Sequence, residues 1–152
     1  MKINDRQIND FFQWRDCYST GINEIDNQHK EIIILVKKLL KICQDTENEN
    51  QRKDFITLVF DGEKYIKEHF LTEEKYMLME KYPRYEGHKE RHDKMLEDTK
   101  EIIKKIINRK KTLMDGVIFL REWVEEHINS VDKDMGEYLY SKGKTMGRKH
   151  LL

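Results

Sequence analysis

Apolar residues recur along most of this chain with the period of an α-helix. From Ile22 to Cys43 they fall at positions 22, 25, 32, 33, 36, 39, 40 and 43, with charged residues filling the other faces. Asn23 is the expected N-cap of this first helix, and Asp26 lies in its first turn, where the helix dipole favours a carboxylate. Residues 44 to 51, QDTENENQ, read as a polar loop. A second helix is expected from about Arg52 to about Lys81, with Phe55, Leu58, Val59, Gly62, Tyr65, Ile66, Tyr76 and Met77 facing inward. Pro83 disfavours helical geometry at Tyr82 and closes it. A third, from about Tyr85 to about Asn108, carries Met95, Leu96, Thr99, Ile102, Ile103 and Ile106 on one side. Thr112, with Asp115 three residues on, opens a fourth whose stripe is Leu113, Val117, Leu120, Trp123 and Val124.

Ahead of these helices, residues 1 to 21 read as a polar arm whose aromatics, Phe11, Phe12 and Trp14, form a lid across one end. Behind them runs a basic, glycine-punctuated tail; its Tyr138 and Tyr140 are placed to dock on the helices, and its last residues are expected to be mobile. Four amphipathic helices with short connections pack by default as an up-down-up-down antiparallel bundle. The expected fold is therefore all-α, a single domain over 1–152, with the arm at 1–21, a four-helix bundle at about 22–133 and the tail at 134–152.

Charge narrows the range of partners. Lys+Arg and Asp+Glu are equal at 29 each, so nothing points to nucleic acid or an anionic membrane. The longest aliphatic run, Ile32 to Val36, is too short for a signal peptide or a membrane span, and a soluble, cytoplasmic monomer is expected. Cys17 and Cys43 are too few and too far apart for a disulfide framework or a metal knuckle.

The chemistry enters where polar residues occupy apolar positions. Of six histidines, His29, His69, His88, His92 and His127 fall on the inner stripes, and only His150, in the tail, does not. A lone histidine on such a stripe is more often a satisfied core residue than a ligand. Five landing there independently would happen about one or two times in a hundred if a stripe covers about three in seven positions. His69 with Glu73, and His88 with His92, are each four apart, so each pair projects from one helix face. Glu73 and Asp132 on the same faces would be costly to bury ionised without a cation. Two divalent cations would offset both that charge and the unmet hydrogen-bonding capacity. Imidazole with carboxylate and no thiolate suits iron, manganese or zinc, and seven donors fit two ions better than one.

Other motifs fail on spacing. His88-Lys-Glu-Arg-His92 has its acid at the third position, so neither HExxH nor HxxEH is present. No histidine has a glutamate three residues before it, as the Glu-x-x-His pairs of ferritin-like bundles require. There is no C2H2 finger, Gly-rich phosphate loop or GxSxG.

The words that remain are Gly21-Ile-x-x-Ile-Asp-x-Gln-His29, His69-Phe-x-x-Glu-Glu, His88-x-x-x-His92 and Trp123-x-x-x-His127-Ile-x-x-x-Asp132. In this order they resemble the hemerythrin family in its single-domain bacterial form, over about residues 11 to 133. The resemblance implies a non-haem di-iron site that binds dioxygen reversibly, for storage, delivery or scavenging. His88, His92 and His127 would hold one iron and His29 and His69 the other. Glu73 and Asp132 would bridge alongside an oxo or hydroxo ion, leaving the second iron an open place. Ile32, Phe70, Trp123, Val124 and Ile128 match the family's apolar oxygen pocket, with valine at 124 where leucine is often found. A di-iron enzyme, such as a peroxidase, oxidase or nitric oxide reductase, or an oxygen or redox sensor, could use the same ligands.

For His127 and Asp132 both to reach the irons, a geometric condition must hold. Five residues apart, they lie roughly 140° apart on a regular helix, so a widened π-type turn or a helix end is predicted between them. Outer partners for the imidazoles are expected as well, with Asp26, Glu24 and Tyr65 as candidates.

Overall fold

A computed structural model describes residues 3–43 and 47–146. Its four main helices are α2 (Asn23–Ile42), α3 (Glu49–Met79), α4 (Tyr85–Ile107) and α5 (Leu113–His127), packed antiparallel. Short α1 (Asp5–Phe11) precedes them and α6 (Lys133–Met146) follows. Within the bundle α2 packs on α3 and α5, and α4 packs on the same two, which closes the ring. No helix among the described residues is long and apolar enough to cross a membrane.

The apolar stripes meet as read. Ile32, Ile33, Val36, Leu39, Leu40, Phe55, Val59, Ile66, Met95, Ile103, Ile106, Leu113, Val117 and Val124 form one buried cluster along the bundle axis. At the end away from the histidines it is tied together by Arg52. This guanidinium is buried and donates to the Ile106 carbonyl of α4 and to Glu47, whose other oxygen accepts from the Leu113 amide of α5.

Several boundaries differ from expectation, each for a local reason. Helix α3 begins at Glu49 rather than about Arg52, because Asn48 and Gln51 form a reciprocal capping box inside the segment read as loop. It ends at Met79, and Lys81 then takes a left-handed conformation with φ 53°. Asn23 is not the N-cap of α2; Ile22 is, with no side-chain cap. Asp26 closes that end instead, accepting from the Thr20 amide at 2.8 Å, the Thr20 hydroxyl at 2.7 Å and the Ser19 hydroxyl at 2.6 Å. Thr112 and Asp115 do form the expected box on α5.

The arm is more ordered than a polar lid. Asn4 and Gln7 cap α1, and a 3-10 turn follows at Asp16–Tyr18. Phe12 and Tyr18 are buried, Tyr18 donates to Glu125 at 3.0 Å, and Arg121 donates to the Phe11 carbonyl at 2.7 Å. The tail, too, is largely helical. In α6, Met135 and Leu139 are fully buried in a second cluster with Ile22, Ile25, Met77 and Tyr82. A Cβ at Gly136 would lie 2.5 Å from the Thr20 carbonyl oxygen, so only glycine lets α6 approach the arm this closely. The last residues of the tail, 147–152, lie outside those described, as do 44–46 of the expected loop.

Candidate metal centre

Each inward polar residue is set by the register of its own helix. His29 lies on α2, one turn after Ile25 on the buried face. His69 and Glu73 are stacked on α3, and His88 and His92 on α4. His127 is the last residue of α5. Between it and Asp132 the chain forms a π-helical stretch, Ile128–Asp132, which is the widened turn that the five-residue spacing requires. Its extra residue per turn brings Asp132 round to the same interior as His127.

All seven residues meet in one buried region, none more than 2% exposed. Their arrangement is twofold. Glu73 turns Oε1 to the Nε2 atoms of His29 (3.2 Å) and His69 (3.0 Å), and Oε2 to those of His88 (3.3 Å) and His92 (3.0 Å). Asp132 turns Oδ2 to Nε2 of His29 (3.1 Å), and Oδ1 to those of His88 (3.0 Å) and His127 (2.9 Å). Each carboxylate thus gives one oxygen to one histidine group and its other oxygen to the second. Two overlapping donor sets result, one of His29, His69, Glu73 and Asp132, the other of Glu73, His88, His92, His127 and Asp132. Within each, the donor atoms lie within 4.8 Å of one another.

The hydrogen-bonding chemistry of this cluster fits cations between its members. Nε2 of His88, His92 and His127, Oε2 of Glu73 and both oxygens of Asp132 are buried with no hydrogen-bond partner. Close approach without hydrogen bonding leaves lone pairs facing lone pairs, which is stable only around a positive charge. With protons alone to share, the imidazoles are forced into that part. Burial pulls His29 down, but the carboxylates of Asp132 and Glu73 outweigh it and raise it to about 10. His88 is pushed up to about 9 by the same pair against the same burial. Burial keeps His127 lowered, offset in part by Asp132. Glu73 and Asp132 are held well below the usual carboxylate range by the surrounding histidines, in spite of complete burial.

A small cavity of about 10 Å³ opens on one side of the cluster. Ile32, Phe70, Trp123, Val124 and Ile128 all line it, together with Ile66, His29, His69, His127 and Asp132. Phe70 stacks on the His92 ring at 3.8 Å and Trp123 on the His127 ring at 4.4 Å, so the same aromatics wall the cavity and fix two imidazoles.

The expected outer partners are corrected by the structure. Asp26 serves the arm, Glu24 accepts from the Tyr76 hydroxyl at 2.7 Å, and Tyr65 packs against the apolar core. The residues that reach the imidazoles are Gln28, with Oε1 2.7 Å from His69 Nδ1, and Glu74, with Oε1 3.0 Å from His92 Nδ1. A chain of polarity fixes the first. The Glu68 carbonyl can only accept, so the Thr72 hydroxyl 3.0 Å away donates to it and is left to accept from Gln28 Nε2 at 3.1 Å. Gln28 therefore turns its carbonyl to His69, whose Nδ1 carries the proton and whose Nε2 lone pair faces inward.

Fold and site together define a helical bundle closed around a buried His/Glu/Asp metal-binding cluster. Comparison with known proteins takes the class further. Residues 20–139 match the family model described as "Hemerythrin HHE cation binding domain", and the chain belongs to the hemerythrin family. A bacteriohemerythrin of Methylococcus capsulatus is 30% identical over 80% of this chain and 91% of its own length. Another, from Clostridium acetobutylicum, is 25% identical over 81% of this chain and 97% of its own. Among solved structures, a wild-type hemerythrin superposes with a TM-score of 0.73 at 29% identity, covering 84% of this chain and 97% of that one.

Proposed function

We propose that the chain binds dioxygen reversibly at a non-haem di-iron centre, as a protein that stores, delivers or scavenges oxygen. The observation that carries this reading is the divided aim of Glu73 and Asp132, each offering one oxygen to either histidine group. His88, His92 and His127 would hold one ion, His29 and His69 the other, and the two carboxylates would span them. When bound, such a pair supplies two electrons to one dioxygen molecule and takes them back on release.

The remaining residues act on access and water. The cavity beside His29 and His69 has room for about one water-sized molecule. Ile32, Ile66, Phe70, Val124 and Ile128 give it an apolar wall, which excludes water and slows loss of a charged product. Among the described residues lining it, the only titratable groups belong to the proposed ligands, so no separate acid or base stands ready to drive turnover. That favours binding over catalysis.

The test is to mix anaerobically reduced, iron-loaded protein with one equivalent of dioxygen and follow the visible spectrum. A carrier gives a long-lived absorption that disappears on deoxygenation. Rapid conversion to a stable diferric spectrum would make it an oxidase instead. Replacing His69→Ala should lower iron from two per chain to one, and an unchanged iron content would remove that residue from the centre.

A further inference from the structure

The five imidazoles of the centre are not equally supported from behind. Nδ1 of His29, His88 and His127 has no hydrogen-bond partner among the described residues. His69 has the neutral amide of Gln28, and His92 has the carboxylate of Glu74, whose side chain is only 14% exposed. Neutral imidazoles bring no charge of their own, and Glu73 and Asp132 are divided between the two halves. With the charge of the ligands divided in this way, the groups behind them set a difference of charge between the two metal positions. A carboxylate accepting the Nδ1 proton makes Nε2 a stronger donor and stabilises the more highly charged metal ion; an amide does so far less.

We propose that Glu74 and Gln28 are positioning residues that make the two metal positions electronically unequal, so that after one-electron reduction the ferric ion resides with His88, His92 and His127. This rests on the di-iron reading given above. Glu74 lowers the reduction potential of the ion on the His92 side, which is then the second to be reduced. Gln28, held by Thr72, orients His69 without adding charge, and the ion on that side is reduced first. The position that accepts the first electron is thereby the one with both of its histidines, His29 and His69, on the small cavity, where His127 alone of the other three appears.

The experiment is an anaerobic reductive titration of protein carrying two irons per chain. Potentials are read spectroscopically, and the mixed-valence fraction by electron paramagnetic resonance. E74Q should raise the second potential, with a tenfold change in the oxidised-to-reduced ratio read as about 59 mV for a one-electron step. Q28E, which places a carboxylate behind His69, should lower the first. Either change narrows the gap, so the maximal mixed-valence fraction falls in both. The double variant keeps the total charge, inverts the order and restores the fraction, which damage to packing would not do. If E74Q fails to retain two irons, Q28E alone decides, because an unmoved first potential overturns the proposal. Both variants moving the same step, or neither moving any, also overturns it. Fewer than two irons in the unaltered protein would instead strike at the di-iron reading itself.

Discussion

The same four helices build two very different layers. Around Phe55, Leu39, Leu40, Ile106 and Leu113 the inner stripes carry large apolar side chains, all 2% exposed or less. Eighteen residues further along α3, roughly 27 Å on, the same stripes carry His29, His69, Glu73, His88, His92 and His127. Burial is equally complete in both layers. What differs is what burial does: in the first it stabilises the fold by removing apolar surface from water, and in the second it strips water from charges and lone pairs that then need a cation. One layer makes the bundle and the other is carried by it.

That division can be broken from either side. The largest expected effect is from Asp132→Ala, which removes one of the two side chains shared by both donor sets. On the di-iron reading, iron should fall below two per chain by metal analysis, while far-ultraviolet circular dichroism keeps its helical content because the apolar layer is intact. Loss of helix in the metal-free variant would show that the two layers are not separable. Phe55→Ala attacks the other side. It should cost about 3–5 kcal/mol in chemical unfolding, the usual range for emptying a buried aromatic site, with iron stoichiometry unchanged in the folded protein.

The smallest effect is one of pH on protein stripped by a chelator. His29 and His88, raised to about 10 and about 9, contribute fully below the ordinary imidazole range and lose that contribution as pH rises through those values. Glu73 and Asp132, held low, contribute above the usual carboxylate range and lose it in acid. Thermal midpoints should be level between the carboxylate and imidazole ranges, fall as pH rises past the ordinary imidazole value, and fall again in acid. Loading iron should abolish the alkaline fall, since metal displaces those imidazole protons. A metal-free protein with a flat alkaline limb would contradict this account of the cluster.

Most of this architecture is legible along the chain because both layers obey one rule, a helical period that places whatever residue occupies the stripe. The five histidines, Glu73 and the need for a π turn before Asp132 follow from it. Gln28 and Glu74 do not. Each is next in sequence to a proposed ligand, so on its own helix it points about 100° away from that ligand and meets an imidazole of another helix. Which imidazole it meets depends on how the helices are placed against one another. The helical tail was hidden for a different reason. The tail reads as glycine-punctuated, but Gly136 is required by the approach of α6 to Thr20 and not by a turn. Asn48 was masked by its polar neighbours, although Asn48 and Gln51 carry a recognisable capping pair.

The π-helical stretch also acts as a phase shifter. By holding one more residue than a regular turn, it keeps the inner face of α6 in phase with that of α5, so that Val124 of α5 joins the apolar cluster on one side of the histidine layer and Met135 and Leu139 of α6 the cluster on the other. Were the stretch to wind as a regular helix with every residue kept, Asp132 would swing about 140° away from His127, and Met135 and Leu139 would turn with it. Loss of a single codon would instead let a regular turn, with the pair four apart, keep them on one face. The length of this stretch and the width of its turn are thus matched to each other, for the chemistry and for the packing alike.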